Sequence, residues 1–195
     1  MTLFSTVSLR LGFITCLLFT SVYSWADNKA SLSLHAMVAN KGLSCELVLP
    51  QNVLQFKPLQ ANQLTGSVRT FQVLPLHLEM MCGDENENII PTLTLSGETP
   101  YSQDTEQAVF LSGTPNGVGF MVRKSADDKP INVTDFYQPK SAIVKGGLGQ
   151  PLTELNDKNF YRSDAVLWVG LVGPFQPEVI PGQFHASLIL NMSFE

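Results

Sequence analysis

The chain has 195 residues, 44% of them hydrophobic and 15% charged, with 12 Lys+Arg against 17 Asp+Glu for a formal net charge of −5. That length suits a single domain, or one domain plus a removable segment. With this mild acidity and no basic stripe, nucleic acid and anionic membrane are poor partner candidates.

Residues 1–26 have the architecture of a secretory signal. Arg10 precedes an apolar run from Leu11 to Phe19, and Ser24, Trp25 and Ala26 offer small residues around a cleavage point. The run is too short for a stable bilayer span. Cleavage after Ala26 would remove Cys16 and leave Cys45 and Cys82. Two cysteines in an exported chain predict one structural disulfide, and their wide spacing matches neither a redox pair nor a four-cysteine metal site.

Beyond Asp27, apolar Ala30, Leu32, Leu34, Ala36 and Val38 alternate with Ser31, Ser33, His35, Met37 and Ala39, which predicts a strand with one apolar face. Asn40, Lys41 and Gly42 break it. A second short strand follows from Leu43 to Leu49, with Leu43, Cys45, Leu47 and Leu49 on one side. Pro50 to Ser67 is irregular, with Val53, Leu54, Phe56 and Leu59 as apolar anchors. Thr70 to Cys82 reads as a strand pair or one long bent strand, whose second half sets Leu76, Leu78, Met80 and Cys82 on one face. Both cysteines therefore lie on inward faces of two strands that a bridge would tie together.

Further short strands are expected at Pro91 to Gly97, Val109 to Leu111 and Val118 to Val122, separated by acidic or Gly-Pro turns. Ala165 to Val172 is apolar on both faces, as in a central strand covered twice. The last strand opens after Gly182 and alternates Phe184, Ala186, Leu188, Leu190, Met192 and Phe194 against His185, Ser187, Ile189, Asn191 and Ser193, leaving only Glu195 beyond it. No long stretch holds a helical period, and turn signals recur roughly every 8–12 residues, the pattern of an antiparallel β-sandwich.

Catalytic and metal patterns are not found. His35, His77 and His185 each sit on the wetter side of a strand, apart from other ligands, and read as solvent-facing. Gly146, Gly147 and Gly149 do not lead from a strand into a helix, so no phosphate loop is expected. The acidic turn around Asp84, Glu85 and Glu87 reads as solvated rather than as a calcium loop. The expectation is a protein that is not an enzyme, with no catalytic residue, metal or cofactor.

The tail carries a resemblance. Phe194 is the penultimate residue and Gly182 the fourteenth from the end. Together with Cys45, Cys82, the alternating Leu76 to Cys82 and the Gly117-Val118-Gly119-Phe120-Met121-Val122 stretch, these residues resemble the chaperone–usher (type 1-like) fimbrial pilin family over essentially the whole of residues 27–195. The penultimate position is more often tyrosine in that family, so here a ring is kept and a hydroxyl bond lost.

The resemblance implies an all-β, incomplete immunoglobulin-like sandwich that lacks its seventh strand and is completed by donor-strand complementation. It divides the chain into a signal at 1–26, a donor segment at 27–40 and a pilin domain at 41–195. A groove would run uncovered beside the last strand. A periplasmic chaperone would pair with the edge from Gly182 through Phe184, Ala186, Leu188, Leu190, Met192 and Phe194, holding the carboxylate of Glu195. At the outer-membrane usher, a neighbouring subunit's donor strand would replace it. Leu32, Leu34, Ala36 and Val38 would be the donor side chains of this chain, the alternative being that the same segment is simply the domain's own first strand.

A chain of this kind made without chaperone is expected to aggregate, and its place would be a fimbrium on the bacterial surface, as a minor or adaptor subunit contributing to adhesion. Two other readings stay open. One is a single-domain tip adhesin meeting a host glycan or protein through Tyr101, Phe136, Tyr137 or Trp168. The other is a secreted monomeric sandwich that folds alone.

Overall fold

The computed structural model describes residues 29–40, 44–83 and 87–194. The expected signal at 1–26, the turn at 41–42, the acidic residues at 84–86 and the terminal Glu195 lie outside the described residues. Nine strands and one helical turn follow in order: β1 (Ala30–Asn40), β2 (Ser44–Val48), β3 (Val53–Phe56), β4 (Arg69–Gly83), β5 (Pro91–Ser96), β6 (Gly119–Lys124), α1 (Val133–Phe136), β7 (Gln150–Pro151), β8 (Arg162–Gly173) and β9 (Phe184–Phe194).

They form two sheets, one ordered β3-β1-β9-β5-β7 and the other β2-β4-β8-β6. The expectation of a two-layer all-β sandwich is met. Alternation in each strand sends one set of side chains between the layers, where Leu54, Leu78, Leu93, Phe120, Leu167 and Leu190 are buried together. At one end of the sandwich β9 and β1 begin and β8 ends; at the other β9, β1 and β4 end and β2, β5 and β8 begin. These are called the Phe184 end and the Phe194 end.

Thr70 to Cys82 is a single strand, with one register irregularity between Thr70 and Gln72. Strand β2 pairs only with its last part, up to Glu79, so Pro75 lies where β4 has become an edge and a missing N–H is tolerated. Cys45 and Cys82 are directly opposed in that pairing and joined by a disulfide, with Cα atoms 4.0 Å apart.

The double covering of β8 has a specific source. Beyond the central core, a second cluster of Tyr101, Val109, Leu111, Met121, Phe136 and Val172 lies on the outer face of the β4-β8-β6 sheet. Gly170 makes it possible, because any Cβ there would overlap the Phe136 ring. Arg123 holds α1 down by donating from Nη1 to the carbonyls of Asp135 and Phe136 at 2.9 and 2.8 Å, with its guanidinium over the Phe136 ring.

Two strands escape the sequence pattern. Strand β3 lies inside the stretch expected to be irregular, and β7 is only two residues long. The expected strand at Val109 to Leu111 contributes one isolated bridge, Phe110 to Phe120.

Candidate functional site

The site is built where the two ends of the described chain meet. Strand β1 runs parallel to β9 for its whole length, from Ala30 opposite Phe184 to Asn40 opposite Phe194. Every other strand pairing among the described residues is antiparallel. On its far side β1 pairs antiparallel with β3, from Ala30 opposite Phe56 to Ser33 opposite Val53. The last backbone bond on that side is Leu34 N–H to the Asn52 carbonyl at 2.8 Å.

This sets a gradient along β1. Ala30, Leu32 and Leu34 are buried and enter the core beside Ala186 and Leu188. Burial of the two leucines contributes roughly 3–6 kcal/mol. From His35 onward β3 is gone and only β9 remains as a ladder partner. Ala36 is exposed, and Val38 and Met37 are 37% and 59% accessible.

The four expected donor side chains therefore divide. Leu32 and Leu34 point into the sandwich, whereas Ala36 and Val38 do not share their burial. The period-2 alternation holds along β1, but burial also needs a neighbouring strand, and β3 is too short to supply one.

The last strand differs from expectation in a related way. Ala186, Leu188, Leu190, Met192 and Phe194 are all buried, and Phe184 is half-buried. However, β9 is not an edge here: it lies between β1 and β5, the latter paired from Pro91 opposite Phe194 to Ser96 opposite Ile189. The place expected to be uncovered is taken by the chain's own β1, which is the alternative in which this segment is the domain's own first strand. Gly182 precedes β9 with φ of 147°, backbone territory that favours glycine, and an added Cβ there would meet open space. Its requirement is conformational, not steric.

The Phe184 end of the groove is loosely filled. A cleft of about 360 Å³ opens between Lys29, Ala30, Phe56, Pro58 and Phe184. Sharing Ala30 and Phe184 with it, a small cavity of about 30 Å³ is walled by Leu59, Leu64, Val118 and Val179. Phe184 itself stacks toward Phe120 at 5.8 Å, and its N–H donates to the Lys29 carbonyl at 3.1 Å.

The residues considered as receptor contacts go mostly inward. Phe136 is fully buried and Tyr101 nearly so. The Tyr101 hydroxyl donates to the Val118 carbonyl at 2.6 Å and accepts from Gly117 N–H at 3.0 Å, pinning the turn before β6. Burial pushes its phenol up to about 12. Tyr137 and Trp168 are half-buried, with Tyr137 edge-on to Phe175 at 6.2 Å. These aromatics pack; none forms an exposed platform.

His35, His77 and His185 are exposed and separate. Among the described residues no group of three His, Cys, Asp or Glu side chains is placed to hold a metal ion. No described helix is long and apolar enough to cross a membrane.

One exposed feature went unnoticed in the sequence. Phe160, just before β8, is 82% accessible with φ of 54°. It follows a polar Asn156-Asp157-Lys158-Asn159 turn, so no alternation marked it.

No family model matches the chain, and no curated protein matches it.

Proposed function

We propose that this chain is a structural subunit, of the minor or adaptor kind, of a fimbria assembled by the chaperone–usher route, and that it polymerises by donor-strand exchange and contributes to cell adhesion. Strand addition to a sheet edge, of which donor-strand complementation in pilins is a known case, takes affinity from backbone bonds and specificity from alternate side chains. The observation that carries the reading is the seating of β1. An N-terminal strand lies along the whole of β9, lends Leu32 and Leu34 to the core, and has β9 as its one ladder partner beyond Leu34 among the described residues.

Withdrawing β1 would break its ladders with both β9 and β3 and leave β3 without a strand partner, while the β9-β5-β7 pairings and the second sheet would stay in place. The withdrawal would leave Ala186, Leu188 and Leu190 facing a vacancy that aggregates unless refilled. A periplasmic chaperone would refill it first, and the N-terminal strand of a neighbouring subunit afterwards, delivered at the outer-membrane usher. The immunoglobulin-like topology, the cell-surface location and the hold on Glu195 belong to this same reading.

The test is to shorten the exported chain by residues 29–40. The shortened chain should lose solubility when produced alone and regain it with a synthetic peptide of residues 29–40, or with a fimbrial chaperone co-expressed in the periplasm. A shortened chain that stays a stable, soluble monomer with no addition would refute strand exchange.

A further inference from the structure

Three observations meet at the Phe194 end. First, β1 ends there at Asn40 and β2 begins there at Ser44. Whatever path residues 41–43 take, the link spans at most about 14 Å. A β1 that leaves its own groove must therefore project from this end, and the molecule receiving it must abut this end.

Second, Phe160 stands on that face. Ser44 pairs with Gly83, and the neighbouring Cys82 N–H donates to the Tyr161 carbonyl at 2.9 Å. Phe160 thus lies about two strand spacings, roughly 10 Å, from the origin of the link. Ile90, 48% accessible, precedes β5 at the same end.

Third, Phe160 is held out at a cost. Phe160 and Tyr161 both have φ of 54°, in the left-handed region, where each bulky side chain costs on the order of 1–2 kcal/mol. The turn is built to keep them there. Asn156 Oδ1 accepts from Lys158 N–H at 3.0 Å, Asn159 Oδ1 accepts from Asn156 N–H at 2.9 Å, and Asn159 Nδ2 donates to the Glu154 carbonyl at 2.7 Å. The Leu155 bridge to Ile89 anchors its base. Tyr161 uses its conformation to reach the core, at 9% accessibility, whereas Phe160 gains no such burial within the chain.

We infer that Phe160 is the anchor of a head-to-tail joint between two copies of this chain, seated in the cleft at the Phe184 end of the next copy. The inference rests on the strand-exchange reading above. A second copy is the occupant because β1 presents Leu32 and Leu34 at the alternate spacing that fits beside β9, where it sits at home in parallel over 11 residues. The Phe184 end is the receiving face because it carries the cleft of about 360 Å³, where Phe56, Pro58 and Phe184 stand among polar Lys29, Gln55 and His185. Unlike ends in contact make a heterologous, open-ended assembly. A strand projecting from the Phe194 end into a neighbour's Phe184 end then runs antiparallel to that neighbour's β9, the reverse of its seat at home.

The experiment compares the full chain with its Phe160→Asn and Leu148→Ser variants, refolded at high concentration so that seating at home competes with seating in a neighbour. Leu148 is 98% accessible and lies on the flank beside β7, so it controls for general stickiness. Asparagine tolerates the left-handed region, so F160N should melt no lower than the parent while its oligomers weaken about tenfold or more. L148S should assemble as the parent does. A benzoylphenylalanine placed at position 160 should crosslink to the Lys57–Pro58 or Gln183–Phe184 stretch of a second copy.

Parental assembly by F160N, equal loss in L148S, or crosslinks to a second copy's own 156–161 turn would each overturn the joint. Uptake of a fluorescent 29–40 peptide separates the two levels. If the peptide enters and Phe160 is irrelevant, only the joint fails; if neither peptide uptake nor oligomers appear, strand exchange fails and the joint with it.

Discussion

Tyr101 shows how one residue in an otherwise polar loop can organise a face of the molecule. Its ring stacks on Phe175 at 4.8 Å and its hydroxyl joins Gly117 and Val118, so the loop before β6 is fixed to the outer face of a sheet. The phenol sits at about 12 when folded, against an ordinary value near 10. The unfolded chain therefore loses this proton first as pH rises, so the neutral ring's stabilisation is complete below about pH 10 and declines between about 10 and 12. We expect Tyr101→Phe to cost about 1–3 kcal/mol near neutral pH, because the Val118 carbonyl and Gly117 N–H are left without this partner. The variant should also lack the alkaline decline between pH 10 and 12 that the parent shows. Urea midpoints taken at pH 8 and pH 11 measure both effects. An undiminished alkaline decline in Y101F would assign the titration to another group.

At the scale of elements, the disulfide and the two halves of β1 yield separate expectations. Cys45 and Cys82 are 37 residues apart in sequence, and a closure of that length stabilises by about 4 kcal/mol in the chain-entropy account. Replacing both cysteines by serine should lower stability by that order, read as a shifted denaturant midpoint. An unchanged midpoint would mean that the paired β2 and β4 strands already constrain the unfolded chain.

Within β1, Leu34→Asp buries an unpaired carboxylate and should unseat the strand, whereas Ala36→Asp, two residues on, places it in water and should shift the melting temperature little. Limited proteolysis between residues 29 and 40 distinguishes them: L34D should be cut rapidly and A36D no faster than the parent. Equal protection of both would contradict the gradient of burial along the strand.

Across the whole molecule, what was legible in the sequence was periodicity, and what was not was adjacency. The alternation from Phe184 to Phe194 located β9 and its buried face, the AVLWVGLV run located the doubly covered β8, and the cysteine positions in their strands located the bridge. The division of β1 after Leu34 was hidden because it depends on where β3 stops, and β3 is four residues between prolines at 50 and 58 with no room to show a pattern. The burial of Tyr101 left no trace in the sequence because its partners, Gly117, Val118 and Phe175, are distant along the chain. Phe160 stayed invisible because a left-handed backbone leaves no periodic trace.

If β1 is a separable strand, it should open while the β2-β4-β8-β6 sheet stays closed. Native-state hydrogen exchange on the full chain tests it most directly. The amides of Leu32 and Leu34 should exchange through a partial opening, on the order of 100-fold faster than those of Leu78 in β4 and Leu167 in β8. Exchange of all four amides at one rate, through global unfolding alone, would contradict it.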